Sequence, residues 1–175
     1  GDTNASLDWF KSEMQPDINP YVGMGRRHAG EQWISMLSAH VWIPGWISSY
    51  YLDGYHRGLE VARLTGDYYV RRIFGGHGVT GRRLYLSIWN LAELYDATKN
   101  STYLDELNYR IDEMLKLQNT QGGRIVIDRY GYSQNYISHG ISKVMRMFDR
   151  PDLERAMITN ARSLYNNAPY DHDME

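Results

Sequence analysis

SSYYLDGYHRGLEVARLTGD, residues 48–67, has the spacing of an amphipathic helix that stops at a glycine. The pattern predicts one helix from about Trp46 to Thr65. Gly66 is expected to take the left-handed conformation that commonly ends a helix. Asp67 then follows at the position that caps a further short helix, YYVRRIF.

This predicted helix has two faces. Its apolar stripe consists of Leu52, Tyr55, Leu59 and Ala62. Its polar face consists of Asp53, His56, Arg57, Glu60 and Arg63, among which Asp53–Arg57 and His56–Glu60 are pairs four residues apart. Solvation explains such a face without any ligand, and the same groups also suit a functional site. Both interpretations stay open.

The rest of the chain is also predicted to form helices joined by turns. Residues 1–22 are expected to be an irregular segment, 23–168 a helical-hairpin domain and 169–175 a polar tail. Further helices are predicted from Gly25 to the break at Pro44-Gly45, and over about 82–98, 102–118, 135–148 and 152–165. Asn100 is expected to end the helix before it, and Ser101 or Thr102 to cap the next. RIVIDRY, residues 124–130, is β-branched and short, which indicates one extended segment.

One unit recurs three times along the chain: a long helix, a tight turn and a second helix. The three copies overlay at turns near residues 66, 100 and 150. Loosely periodic αα-hairpins are typical of helical repeat arrays, solenoids or closed toroids. The sequence therefore predicts an all-α fold of consecutive αα-hairpins.

Composition excludes several classes of protein. The net charge of −2 and 23% charged residues do not suit a general polyanion binder, so nucleic acid is not an expected partner. No run reaches the roughly 18 apolar residues of a membrane helix. The absence of cysteine excludes disulfides, thiolate metal sites and a cysteine nucleophile. The chain opens GDTNAS without an initiator methionine, and we expect it to be a processed or excised segment.

Aromatic residues with a polar group are abundant, because the chain has 15 Tyr and 5 Trp against 3 Phe. Such residues suit surfaces that are half dry and half wet, including sugar-binding clefts and interfaces. They also pack between helices with their hydroxyls at the rim. Trp33 is expected in the core, and Trp42 or Trp46 near the Pro-Gly break is expected in a cleft.

Two stretches carry a family resemblance. GMGRRHAGEQW, residues 23–33, and AHVWIPGWISSYYLDGYHRGLEVARLTGDYY, residues 39–69, resemble the toroid domain of bacterial polysaccharide lyases, the heparinase II/III-like and rhamnogalacturonan-lyase-like enzymes. The similarity covers roughly residues 21–75. It implies part of an (α/α) toroid that acts on an acidic polysaccharide, in a secreted or periplasmic bacterial protein with further domains. The chain is shorter than a whole toroid with the β-sheet domains that these lyases usually carry.

The resemblance implies β-elimination beside a uronic acid. This reaction needs a group that neutralises the uronate carboxylate, a base for the C5 proton and an acid for the leaving oxygen. The candidate catalytic residues are His28, His40, Tyr55 and His56. The candidate substrate-binding residues are Arg26, Arg27, Glu31, Trp42, Trp46, Tyr51 and Arg57, where an arginine can hold both carboxylate oxygens. His40 is equally explained as a helix C-terminal cap, and His77 and His139 are predicted to be isolated from other titratable groups.

Other functions are less well supported by the residues. His28–Glu31 and His56–Glu60 have helical metal-ligand spacing but no marked third or fourth ligand, so neither a metal nor a cofactor is predicted. GHGVTG, residues 76–81, follows a helix rather than a strand and is not read as a nucleotide site. A non-catalytic helical-repeat module that binds glycan or protein is one alternative. A glycoside hydrolase is another, but the best-placed acids, Glu31, Asp53 and Glu60, are expected to pair with cationic side chains.

Overall fold

The computed structural model describes residues 41–71, 81–126 and 131–167. Within these ranges the chain is all-α, as predicted, with six helices and no strand. The helices are α1 (Pro44–Asp53), α2 (His56–Arg71), α3 (Gly81–Thr98), α4 (Ser101–Thr120), α5 (Gly131–Met147) and α6 (Pro151–Asn167). None of the helices in this part of the chain is long and apolar enough to cross a membrane.

The six helices form three hairpins arranged in two layers. The first helices of the hairpins, α1, α3 and α5, pack side by side with α3 in the middle. The second helices, α2, α4 and α6, form the other layer with α4 in the middle. The core lies between the layers, where α3 contributes Leu84, Ile88 and Leu91 and α4 contributes Leu107 and Ile111, all fully buried.

The single helix predicted over about Trp46–Thr65 is wrong, because the chain turns at Gly54. Gly54 has φ +66, and its N–H bonds back to Tyr50 O at 3.1 Å. Glycine takes this left-handed conformation without the steric cost of a Cβ atom. Asp53 therefore ends α1 while Arg57 lies in α2, so these two residues are not a pair along one helix.

The predicted apolar stripe on that helix is half correct. Leu59 and Ala62 are buried, but Leu52 is 82% exposed and Tyr55 is 55% exposed. The apolar spacing continues across the turn at Gly54, but the helix does not. Residues before and after Gly54 therefore do not share a face.

Gly66 does not end a helix, and the predicted stop at this residue is wrong. Helix α2 continues to Arg71, and a Cβ at Gly66 would collide with Leu94 Cδ2 and lie 2.9 Å from Tyr103 Cε1. The glycine thus allows α2 to approach α3 and α4 closely. Asp67, predicted as a cap, lies inside α2 and accepts a hydrogen bond of 2.7 Å from the Tyr103 hydroxyl.

The repeat is confirmed with one corrected turn. The hairpins turn at Gly54–Tyr55, Lys99–Asn100 and Phe148–Arg150, so the first turn is at 54 rather than 66, and the three are more evenly spaced than predicted. Asn100 is itself the N-cap of α4, since its side chain accepts from Thr102 N at 3.0 Å. The expectation that Ser101 or Thr102 would cap this helix is wrong.

Residues 124–126 lie outside the helices, and 127–130 of the predicted extended segment lie outside the described residues. Side chains from both layers hold this connection. Asn160 Oδ1 accepts from Ile125 N at 2.8 Å, and the Tyr85 hydroxyl donates to Ile125 O at 2.7 Å. These bonds fix the chain as it passes from the second hairpin to the third.

A buried polar network joins α2, α3 and α4. Arg110 and Glu106 form an ion pair of 2.8 Å with both side chains almost fully buried. Arg110 also donates to Ser87 Oγ at 2.8 Å and places its guanidinium 5.0 Å from the centre of the Tyr69 ring. A buried charge is tolerated when it is paired and hydrogen-bonded in this way.

Candidate functional site

The predicted site residues divide into two groups. Arg26, Arg27, His28, Glu31 and His40 lie outside the described residues. The other six lie within the first hairpin or at its start: Trp42, Trp46, Tyr51, Tyr55, His56 and Arg57. The structure places these six at the two ends of α1, with Trp42 and Trp46 near its start and the other four at or after its end.

Exposed apolar side chains concentrate at this hairpin. Of the described residues, the large hydrophobic side chains that are exposed are Trp42, Trp46, Tyr51, Leu52, Tyr55, Met145, Ile158 and Tyr165. The first five fall within 14 positions, whereas the other three are scattered over α5 and α6. Single exposed apolar residues need no explanation, but a group of them commonly marks a binding surface.

We call the group at the first turn the turn cluster: Tyr50, Tyr51, Leu52, Tyr55 and His56. The rings of Tyr50 and Tyr51 are 5.5 Å apart between centroids, and the ring of Tyr50 meets that of His56 edge-on at 5.4 Å. Tyr50 also packs against the core, so it anchors the cluster. Gly54 makes this grouping possible, because the turn brings residues from both helices together.

Arg57 follows the turn cluster directly. Its Nη1 forms an ion pair of 2.9 Å with Glu60 Oε2, with both side chains substantially exposed. Exposed ion pairs of this kind contribute about 0 to 1 kcal/mol. A carboxylate on a ligand can therefore compete for the Arg57 guanidinium at little cost.

Trp42 is held at the start of α1 by Asn90, a fully buried residue of α3. Asn90 Oδ1 accepts from Ile43 N at 3.1 Å, and Asn90 Nδ2 donates to Val41 O at 2.8 Å. The same Nδ2 also donates to the Tyr69 hydroxyl at 2.9 Å. Burial raises the pKa of Tyr69 to about 12, so this hydroxyl keeps its proton over the physiological range. The backbone on each side of Trp42 is thus fixed.

A second group was missed from the sequence. His139 is predicted to be isolated from other titratable groups, and that stays a prediction, but its ring does contact a tryptophan. The ring of His139 on α5 stacks on Trp89 of α3 with centroids 4.8 Å apart and 17° between planes. The helices are close here, because a Cβ at Gly140 would lie 3.0 Å from Trp89 N. Residues 89 and 139 occupy equivalent places in the second and third hairpins. An alignment of the second and third hairpins would have placed Trp89 and His139 at the same position of their helices.

We call the aromatic strip the group of Trp42, Tyr136, His139 and Trp89, which are linked by two ring contacts and one turn of α5. Trp42 meets Tyr136 edge-on at 6.3 Å, and Tyr136 and His139 are three positions apart on α5. The strip thus links the start of α1 to α5 through Tyr136, and α5 to α3 through His139.

Charged residues adjoin the strip at its α3–α5 end. Trp89 Nε1 donates to Glu93 at 3.3 Å, and Lys143 Nζ lies 3.1 Å from Glu93 and 2.6 Å from Asp96. Hydrogen bonds from Lys143 and Lys99 hold the pKa of Asp96 below its usual value. Two carboxylates and two lysines therefore balance in charge next to the aromatic rings.

Other features of the described residues lie apart from these groups. A groove of about 380 Å³ lies between α4 and α6 in the other layer, and none of its lining residues belongs to the predicted site. Among the residues that the structure describes, no group of three or more His, Cys, Asp and Glu could hold a metal ion.

Comparison of the chain with protein-family models, with curated proteins and with solved structures gives no significant match. Fold and surface therefore define the class of the described part. It is an all-α protein of three αα-hairpins in two layers. Aromatic and ionisable side chains are exposed at the first turn and across the first layer.

Proposed function

We propose that this chain is part of a polysaccharide lyase that cleaves a uronate-containing polysaccharide by β-elimination. The observation that carries the proposal is the concentration of exposed aromatic side chains beside His56 and Arg57. Flat aromatic rings contact the apolar faces of sugar rings, and an arginine binds a carboxylate through two parallel hydrogen bonds. These are the two properties that a uronate polymer presents together.

The proposed architecture is part of an (α/α) toroid. Its support is the alternation of the helices, in which the first helix of every hairpin lies in one layer and the second in the other. An open helical array has the same local packing, so the toroid remains part of the proposal.

The roles proposed for the described residues follow from their chemistry. Trp46, Tyr51 and Tyr55 contact sugar rings, and Arg57 exchanges Glu60 for the uronate carboxylate. This neutralises the carboxylate and acidifies the C5 proton. Tyr55 or His56 serves as base or acid, with His28 or His40 as its partner.

In the proposed step the base takes the C5 proton and the C5–H electron pair forms the C4–C5 double bond. The C4–O bond breaks, and the acid protonates the departing glycosidic oxygen. Arg26, Arg27 and Glu31 are proposed to bind neighbouring parts of the acidic polymer. No cofactor takes part in this scheme, and the enzyme acts as a secreted or periplasmic bacterial protein.

A non-catalytic glycan-binding module is the second candidate. It is favoured by the position of the turn cluster, which is exposed on an open turn. Hydrolysis is less well supported, because Glu60, one of the acids it would use, is paired with Arg57.

The test is incubation of the chain, and of any longer parent protein, with polygalacturonate, rhamnogalacturonan, alginate and heparin. Elimination creates an unsaturated product that absorbs near about 232 nm, so a lyase gives rising absorbance. His56→Ala is expected to abolish or strongly reduce the rise, while Tyr165→Ala, at an exposed tyrosine of α6, is the matched control. New reducing ends without absorbance would indicate hydrolysis. Binding without either product would indicate the module.

A further inference from the structure

The aromatic strip is distinct from the turn cluster in position and in charge. Arg57 beside the turn cluster offers a cation to an acidic sugar. At the α3–α5 end of the strip, Lys143 is already shared between Glu93 and Asp96. With Lys99, which pairs with Asp96, these groups balance in charge, so this end of the strip offers a uronate no surplus cation.

The strip has the groups that a neutral sugar needs. His139 is exposed and stacks on Trp89, while Trp42 stands exposed against Tyr136. Carboxylates such as Glu93 and Asp96 are strong acceptors for sugar hydroxyls. Aromatic rings that can contact the C–H groups of a sugar therefore lie beside carboxylates that can accept hydrogen bonds from its hydroxyls.

We propose that Trp42, Tyr136, Trp89 and His139 form a second saccharide subsite, which takes a neutral sugar residue, and that Asn90 is the positioning residue for Trp42. The ligand class rests on the proposed function, because the neutral residue belongs to the same polysaccharide. Asn90 acts through the backbone: it bonds the residues before and after Trp42. Replacing Asn90 by alanine removes the hydrogen bonds to Ile43 N and Val41 O, so the backbone no longer holds Trp42 against Tyr136.

The test uses the four acidic polysaccharides and their carboxyl-reduced forms, in which every uronate has become a neutral sugar. Affinity electrophoresis of the full chain measures its retardation by each polymer. We expect at least one reduced polymer to retard the wild type. Trp42→Ala and His139→Ala are each expected to weaken that retardation about tenfold in apparent Kd. Tyr165→Ala, at an exposed tyrosine of α6, is expected to leave it unchanged. Arg57→Ala is expected to weaken binding of the acidic form.

Asn160→Ala is the matched control for Asn90→Ala. Asn160 is also a buried asparagine that fixes a connecting backbone, by accepting from Ile125 N, but its side chain bonds to Ile125 and Gln134 rather than to the backbone beside Trp42. Both variants are expected to lower Tm. Only Asn90→Ala is expected to weaken binding of the reduced polymer, measured well below both Tm values. If the two variants bind the reduced polymer equally well, Asn90 does not position Trp42.

Failures of the two proposals are distinguishable. If no reduced polymer binds, or if Trp42→Ala and His139→Ala bind it like the wild type, the subsite is wrong. Retardation by an acidic polymer that depends on Arg57 would still support the proposed function in that case. If no acidic polymer retards the wild type, the proposed function is contradicted, whatever the reduced polymers show.

Discussion

The first and second hairpins share an architecture but differ at their turns. The second turns through Lys99 and Asn100 into Ser101 and Thr102, all exposed and polar. The first turns through Gly54 and exposes Tyr51, Leu52, Tyr55 and His56 instead. A tight αα turn therefore does not require exposed aromatic residues. The comparison therefore singles out the first turn as the candidate contact surface.

One arginine–glutamate ion pair in each hairpin differs in exposure to solvent. The pair Arg57–Glu60 in the first hairpin is exposed, with side chains 40% and 58% accessible. The pair Arg110–Glu106 in the second is buried, at 4% and 3%. Arg110 thus joins helices, whereas Arg57 stays at the surface where a ligand can reach it. The second hairpin has exposed pairs as well, Lys99–Asp96 and Lys116–Glu113, but among the described residues no exposed aromatic cluster lies beside them.

The largest effect is expected from removing one partner of each pair. Glu106→Ala leaves Arg110 buried without its carboxylate, so the free energy of unfolding should fall by about 3 to 5 kcal/mol. Glu60→Ala should change it by less than about 1 kcal/mol. Urea denaturation of both variants measures the difference, and equal losses would contradict the comparison.

Alkaline pH is expected to destabilise the protein through Tyr69, the residue of the first hairpin that packs beneath Arg110. Burial raises the pKa of Tyr69 from 10.0 to about 12. Between these values the unfolded chain has lost a proton that the folded chain keeps, so stability falls as pH rises from 10 to 12. Linkage puts the loss at roughly 2 to 3 kcal/mol.

Tyr69→Phe should make that decline shallower without removing it, because Tyr68 also has its pKa raised to about 12. Urea denaturation at pH 9 and at a series of higher pH values measures the slope. A slope unchanged in Tyr69→Phe would show that Tyr69 is not buried as described.

The two turns should respond to substitution for different reasons. Gly54→Ala forces a Cβ into a left-handed conformation, and Asn100→Ala removes the N-cap of α4. Each should cost about 1 kcal/mol. Asn100→Gly should cost only a few tenths of that, because glycine is an acceptable N-cap. Thermal unfolding measures all three, and a stable Gly54→Ala variant would argue against the turn at 54.

The smallest effect on stability is expected at the turn cluster itself. Tyr51→Ala and Tyr55→Ala remove exposed side chains, so each should change the free energy of unfolding by less than about 0.5 kcal/mol. Lys99→Ala at the second turn is the matched control. Losses of several kcal/mol at Tyr51 or Tyr55 would mean that these rings stabilise the fold rather than a complex.

Much of the fold could be predicted from the sequence, because the helices of the second and third hairpins have clear periodicity and turn residues. The first hairpin differs from the prediction of one continuous helix for a physical reason. LDGYHRG continues the spacing of a helix, and nothing local distinguishes the left-handed Gly54 from the helical Gly66. Gly66 is explained only by Leu94 and Tyr103, residues distant in sequence that crowd it in the fold.

The candidate site was predictable where its residues are neighbours in sequence. His56 and Arg57 follow the aromatic residues of α1 directly, so local composition was enough to group them. The stacking partner of His139, Trp89, is supplied by another hairpin and is 50 positions away in the sequence. Contacts between repeats depend on which helices pack together, and a single sequence gives that only through comparison of the repeats.

The most direct test of the central claim is affinity electrophoresis in polygalacturonate, rhamnogalacturonan, alginate and heparin with the triple variant Tyr51→Ala/Tyr55→Ala/Arg57→Ala. Lys99→Ala, altered at the second turn, is the control. We predict that at least one of these polymers retards the wild type and the control equally, and that it retards the triple variant much less. Equal retardation of all three proteins, or retardation of none, would contradict the assignment of the first turn as the polysaccharide-binding surface.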